Sequence, residues 1–307
     1  MEYTELVTSA RNGDSRAIGR ILTQIENRTD SGRELIRHLF AAGGDAWLTG
    51  VTGTPGAGKS TLVSALMTQV LDSTEKAAIV AVDPSSPFTG GAILGDRIRM
   101  GAHAGDDRVF IRSVANRGSL GGISQTTPAI VAGLDGLGFE EIIIETVGIG
   151  QSEVEITTTA DTAIVVVSPG WGDAVQVAKA GFLEIADVFV VNKADRDGAN
   201  AAVRDLQAML ELAPQSGWIP PVIETVATTG AGVAALWIAV KEHRVYLSES
   251  GTDVTRRRTR AAAQLSAALR QSLDTIDLSG GSADLVTQIA SRDVDPWTAA
   301  DRVLDSR

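Results

Sequence analysis

The chain has no cysteine. Disulfides and thiolate metal sites are therefore excluded, and a reducing compartment is compatible with the absence. Long apolar runs are missing too, since stretches such as Ala163 to Val167 are far shorter than a membrane span and read as buried strand. Basic charge is in short supply: 27 Lys and Arg stand against 38 Asp and Glu, a formal net charge of -11. Phosphate backbones and anionic lipid reward a cationic excess, so neither nucleic acid nor membrane is expected as a partner. The one dense basic run, Arg256 to Arg258 with Arg260, opens a helical pattern and reads as a solvated helix face or a partner contact. The opening Met1 to Glu5 is acidic and lacks the apolar core of a signal peptide, which leads to the expectation of a cytoplasmic protein.

What is present fits a globular enzyme. Hydrophobic residues make up 44% of 307 positions, enough for one large core with smaller appendages. No internal repeat or low-complexity segment interrupts it. Three parts are expected. Residues 1–45 form a helical extension, in which Ile18, Ile21, Leu22 and Ile25 share one face. Ser31 with Glu34 reads as a capping box ahead of Leu35, Leu39 and Phe40. From 46 to 248, short β-branched runs alternate with helical patterns, which implies an α/β domain with a mostly parallel sheet. The expected strands are Trp47–Val51, Ala77–Val82, Val109–Ser113, Glu141–Thr146, Thr162–Ser168, Val188–Val191 and Pro221–Thr225. Residues 249–307 turn helical again, with Leu265, Leu269, Leu273 and Ile276 on one stripe. Such a tail is too small to bury its own core and must pack on the main domain or on another subunit.

The most informative segment is GTPGAGKS at Gly53–Ser60, a G-x-x-x-x-G-K-S phosphate loop between an apolar run and a helical one. Its glycines, Gly53, Gly56 and Gly58, let the backbone N–H groups of the loop, including those around Pro55 and Ala57, turn toward an anion. Lys59 can reach β- and γ-phosphates, Ser60 offers a hydroxyl to magnesium, and Thr61 continues into the helix. A nucleoside triphosphate is the implied ligand.

Base choice is read further along. Asn192, Lys193, Ala194 and Asp195 form N-K-x-D at the carboxyl end of a strand, where open α/β sheets bind ligands. The Asp195 carboxylate can accept from the ring N–H and 2-amino group of guanine, and adenine has neither donor there. The Ala227 N–H, after the next apolar stretch, is a candidate donor to the guanine carbonyl. GTP and GDP are therefore expected.

Other loops carry candidate chemistry. Asp83 and Asp96, in a Pro- and Gly-rich stretch, are candidate ligands for magnesium or its waters, with a turn cap before Pro84 as the plainer role of Asp83. Arg99 either neutralises charge developing on the γ-phosphate or forms a surface ion pair. Glu145, Thr146, Val147 and Gly148 stand where ordinary GTPases have D-x-x-G, with glutamate first, so Gly148 and the residues after it read as a γ-phosphate sensor. Gln151 is either a water-positioning residue or a polar loop residue. Trp171 reads as a partner anchor or as an aromatic cover on the sheet edge.

The combination GTPGAGKST, DPSSPFTGGAILGDRIRM, ETVGIGQSE and VVNKADRDGA resembles the MeaB/ArgK/MMAA family of P-loop GTPases over nearly the whole chain. These are G-protein chaperones of adenosylcobalamin-dependent acyl-CoA mutases. The resemblance implies slow GTP hydrolysis, a mutase partner whose adenosylcobalamin is gated and protected, and a homodimer formed through the C-terminal helical arm. By resemblance, Lys59, Ser60, Asp83, Asp96 and Glu145 match phosphate and magnesium positions. Asn192, Lys193 and Asp195 match guanine positions, and Asp173, Gln176 and Lys179 fall in a third switch loop that relays nucleotide state to the mutase. That loop departs from the family's common pattern, which has a second acidic residue and a Leu-Gln-Gly series. The rival class, a nickel or cobalt insertion GTPase, needs soft or imidazole ligands, and His38, His103 and His243 are scattered without ligand spacing.

Overall fold

The computed structural model describes residues 2–83, 101–103, 105–115, 126–146, 152–171, 176–212, 217–273 and 283–305. Three helices come first, α1 (Glu2–Arg11), α2 (Ser15–Glu26) and α3 (Asp30–Ala42). The α/β region then runs β1 (Trp47–Gly53), α4 (Lys59–Val70), β2 (Ala77–Asp83), β3 (Val109–Ala115), α5 (Thr127–Gly136) and β4 (Glu141–Glu145). It continues with α6 (Ser152–Thr159), β5 (Thr162–Val167), α7 (Gln176–Ile185), β6 (Val188–Asn192), α8 (Ala199–Leu212), β7 (Val222–Thr225) and α9 (Val233–Ser250). The helices α10 (Thr252–Leu273), α11 (Ala283–Ala290) and α12 (Pro296–Asp305) close the chain.

All seven strands pair in parallel, in the order β3-β2-β4-β1-β5-β6-β7. Every expected strand is present, each with one end moved by one or two residues. Parallel strands covered on both faces read as unbroken apolar runs, and β2 and β5 are buried along their full length. The order reverses at β1, with β2 to β4 on one side and β5 to β7 on the other, which makes the carboxyl end of β1 the switch-point crevice where such sheets bind ligands.

One face of the sheet is covered by α4 and α9, through Leu62, Leu66, Met67, Leu236 and Val240. The other meets α1, α2, α3 and α5, where Ile18, Ile21, Leu22, Leu35 and Leu39 pack with Val80, Ile142 and Ile144. The N-terminal helices thus share the main core, and Met1–Ala263 forms one compact unit, with Gln264–Arg307 as a second. Helix α2 is capped by Asp14, which accepts from the N–H groups of Arg16 and Ala17. The capping box expected at Ser31 is not the cap of α3. Thr29 fills that position, its hydroxyl accepting from Gly32 N–H at 3.0 Å, while Ser31 accepts from the Tyr3 hydroxyl. Phe40 is 62% exposed, one position past the face that carries Leu35 and Leu39.

The amino-terminal edge of the sheet, opposite the crevice, holds a buried polar network. Asp187 accepts from Ala163 N–H at 2.8 Å and from both ends of the Arg256 guanidinium at 2.6 and 2.8 Å, and its Oδ1 lies 3.2 Å from His243 Nε2. His243 Nδ1 is hydrogen-bonded to the Thr162 hydroxyl at 2.9 Å. Arg260 pairs with Asp161. The basic run at 256–260 is therefore divided: Arg256 and Arg260 are spent inside the protein, and Arg257 remains exposed beside Asp253. This corrects the expectation of a solvated or partner-facing run.

Burial shapes two titrations at this edge. It pushes the His243 imidazole down to about 4, with Arg256 adding to the fall and Asp187 opposing it. It pushes the Glu141 carboxyl up to about 7, because the Arg244 partner at 2.9 Å is itself half in solvent and offsets less than desolvation costs. The native state refuses a proton at His243 that the unfolded chain takes, so this group's stability falls as pH drops from 6.5 toward about 4. The native state keeps a proton at Glu141 that the unfolded chain releases, so this group's contribution is full below 4.5 and is lost as pH rises through about 7. The two slopes oppose each other where the windows overlap. Glu141→Gln should leave the His243 slope alone, so its urea midpoint should fall more steeply on acidification than that of the wild type. Parallel midpoint curves for the two proteins would refute the assignment.

Candidate functional site

The phosphate loop is shaped by positions only glycine can hold. Gly53 ends β1 at φ +131°, and a Cβ there would lie 2.0 Å from the Val166 carbonyl oxygen of β5. Gly58 caps α4 at φ +91°, and its Cβ would lie 2.6 Å from Asn192 Nδ2. Thr54 N–H donates to Val166 O at 3.1 Å and pins the loop to the sheet. The first turn of α4 therefore turns its N–H groups and the positive end of the helix dipole into the crevice. Pro55, Gly56 and Thr61 lie at the exposed rim, and Ala57 is buried.

Lys59 is buried, and its ammonium donates to the carbonyls of Gly53 at 3.1 Å and Thr54 at 3.2 Å. A full positive charge thus sits within the curve of the loop. Ser60, the next residue, donates its hydroxyl to Glu145 Oε1 at 2.6 Å. Glu145 ends β4 and Asp83 ends β2, both almost wholly buried, and β2 and β4 are neighbours in register Ala81↔Glu145. Asp83 is the last residue of β2.

The N-K-x-D element comes to the same crevice from β6. Asn192 is buried and works in both directions: its Nδ2 donates to Ala57 O at 2.8 Å, and its Oδ1 accepts from Thr225 Oγ1 and Ala227 N, each at 3.1 Å. One side chain therefore clamps the phosphate loop to the end of β7. Lys193, at φ +59°, reaches over the loop and donates to Gly56 O at 2.6 Å. Asp195 stays exposed beyond it. The Ala227 N–H is engaged with Asn192.

Asp96, Arg99, Gly148, Gln151 and Asp173 lie outside the described residues. Gln176 and Lys179 belong to the first turn of α7. Trp171 is buried with its ring 6.4 Å from that of Phe182, in a cluster with Val165 and Val167 of β5 and Phe189 and Val191 of β6, and is not an exposed anchor. Among the described residues, no helix is long and apolar enough to cross a membrane.

Residues 18–278 match the family model described as methylmalonyl Co-A mutase-associated GTPase MeaB. The chain belongs to the MeaB family. A relative in Pyrococcus abyssi is 44% identical over 98% of this chain and 95% of its own length. GTPase ArgK of Escherichia coli is 36% identical over 80% of this chain and 77% of its own. A crystal structure titled LAO/AO transport system kinase superposes with a TM-score of 0.73 over 99% of this chain and 96% of its own, at 24% identity, and shares the fold. This MeaB-family chain is a P-loop GTPase, which binds GTP and hydrolyses it to GDP and phosphate.

The sequence placed the loop, Glu145 and N-K-x-D at the site. It did not show that Asn192 clamps protein to protein, or that Thr52 and Thr146 meet beneath the loop at 2.9 Å. The available signal was a threonine at the end of each of two apolar strands, just ahead of the phosphate loop and just after Glu145.

Proposed function

We propose that this GTPase is a nucleotide-controlled chaperone of an adenosylcobalamin-dependent acyl-CoA mutase, methylmalonyl-CoA mutase or a relative, gating cofactor loading and protecting the mutase. The family description, matched over residues 18–278, carries this reading. Adenosylcobalamin belongs to the mutase. A cytoplasmic setting fits this role.

In this reading the α4 N-terminus and Lys59 hold the β- and γ-phosphates, and Arg99 adds charge where the γ-phosphate leaves. The Ser60 hydroxyl and Glu145 carboxylate, 2.6 Å apart, are hard oxygen donors of the kind magnesium selects, and Asp83 and Asp96 add two more carboxylates. Bound there, magnesium neutralises charge on the phosphate oxygens. Asp195 accepts from guanine, Lys193 and Asn192 shape its slot, and Ala227 N–H turns from Asn192 Oδ1 to the guanine carbonyl. Gly148 senses the γ-phosphate, and the segment with Asp173, Gln176 and Lys179 passes that state to the mutase. Leu265 and Leu269, 62% and 58% exposed on α10, supply an apolar stripe for the dimer.

The test is GTP turnover with and without purified methylmalonyl-CoA mutase, alongside co-elution in GDP and in a non-hydrolysable GTP analogue. Stimulated turnover and nucleotide-dependent co-elution are expected. Unchanged turnover and no co-elution with any acyl-CoA mutase would end the chaperone reading and leave the GTPase intact.

A further inference from the structure

Side chains alternate between the faces of a strand, and β4 follows this to its end. Ile143 packs with Val51 on the α4 side, and Ile142 and Ile144 pack on the α2 and α3 side. Glu145 continues the first set and meets Ser60 of α4. Thr146 continues the second. Its N–H extends the ladder to Val51 O at 3.0 Å, and its hydroxyl donates to Thr52 Oγ1 at 2.9 Å. Thr52 is 0% exposed and Thr146 1%.

Packing does not explain this choice of residues. Valine has nearly the same shape and carries no hydroxyl to satisfy, so a Val–Val contact would fill the same space without a buried polar group. A hydroxyl pair adds direction. Thr52 immediately precedes the first loop glycine, Gly53, and Thr146 immediately follows Glu145. The end of β4 is thus held on one face by Glu145 to Ser60 and on the other by Thr146 to Thr52.

We propose that the Thr52–Thr146 hydroxyl pair positions Glu145 against Ser60 for GTP hydrolysis, locking the end of β4 to the root of the phosphate loop. Both are positioning residues, acting through Glu145. The inference rests on the reading of Ser60 and Glu145 as the magnesium-holding pair. A loose Glu145 leaves GTP bound by the loop and by the guanine slot, so the loss falls on the chemical step.

The experiment compares single-turnover and steady-state GTP hydrolysis, titrated with magnesium, in wild type, Thr146→Val, Thr146→Ser, Thr52→Val/Thr146→Val and Glu145→Gln. Thr146→Val should lower kcat roughly tenfold with KM for GTP nearly unchanged, since small misplacements weigh on the reacting geometry more than on binding. It should also need more magnesium for half-maximal rate, and Thr146→Ser should restore both. The double valine variant leaves no orphaned hydroxyl, so it should keep the wild-type melting midpoint and still be slow. Wild-type kcat and magnesium dependence in a folded Thr146→Val or double variant would overturn the proposal. If Glu145→Gln is slow while those variants are normal, only the role of the pair fails. If Glu145→Gln matches wild type, the reading of Glu145 fails and the inference with it.

Discussion

Lys59→Ala should lower GTP hydrolysis by about 10²–10³, the scale set by removing one preorganised charge from a transition state. The fold should survive. The Lys59 ammonium contacts the Gly53 and Thr54 carbonyls, polar groups of a loop that can close or admit water. Removing a buried cation also lifts its desolvation cost. The melting midpoint should therefore move far less than the rate. Lys59→Arg should be nearly as slow, because a planar guanidinium does not fit a loop curved around a single ammonium. Stopped-flow phosphate release together with thermal melts decides the matter. A folded Lys59→Ala protein hydrolysing at the wild-type rate would remove Lys59 from the site.

Asp195→Ala should weaken GTP binding by roughly 10²–10⁴, from two charge-assisted hydrogen bonds of about 1.5–3 kcal/mol each. Binding of ATP should stay poor, since adenine offers no donors to this carboxylate. Asp195 is exposed, so the melting midpoint should not change. Asn192→Ala provides the contrast. It too should lose GTP, but it leaves Ala57 O, Thr225 Oγ1 and Ala227 N without a buried partner and should therefore lower the midpoint as well. Calorimetry with GTP and ATP, beside melts of both variants, separates the two roles. Equal affinity of the unaltered protein for GTP and ATP would refute guanine recognition through Asp195.

Most of the α/β framework was legible because it rests on local pattern. The long apolar runs of β2 and β5, and the alternation of strand with helix, point to a parallel sheet covered on both faces. Errors arose where the local pattern allowed two outcomes. Ser31 was the expected cap of α3, and Thr29, two residues earlier, is the one that accepts from the Gly32 N–H. Four arginines within five residues looked solvated, yet two of them, Arg256 and Arg260, pair with Asp187 and Asp161, about 70 to 100 residues earlier in the chain.

The proposed phosphate loop is legible in the sequence alone, because contiguous residues build it. Gly53, Gly58, Lys59 and Ser60 need only a strand before them and a helix after them to form the cradle. Tertiary structure decided what holds that cradle in place. Asn192 reaches Ala57 across 135 residues, Ser60 meets Glu145 across 85, and Thr52 meets Thr146 across 94. The neutral states favoured at His243 and Glu141 likewise come from burial among distant elements. A motif specifies which groups are available within a few bonds of one another. Distance, burial and partner across the sheet are set by strand order and register, which no local pattern encodes.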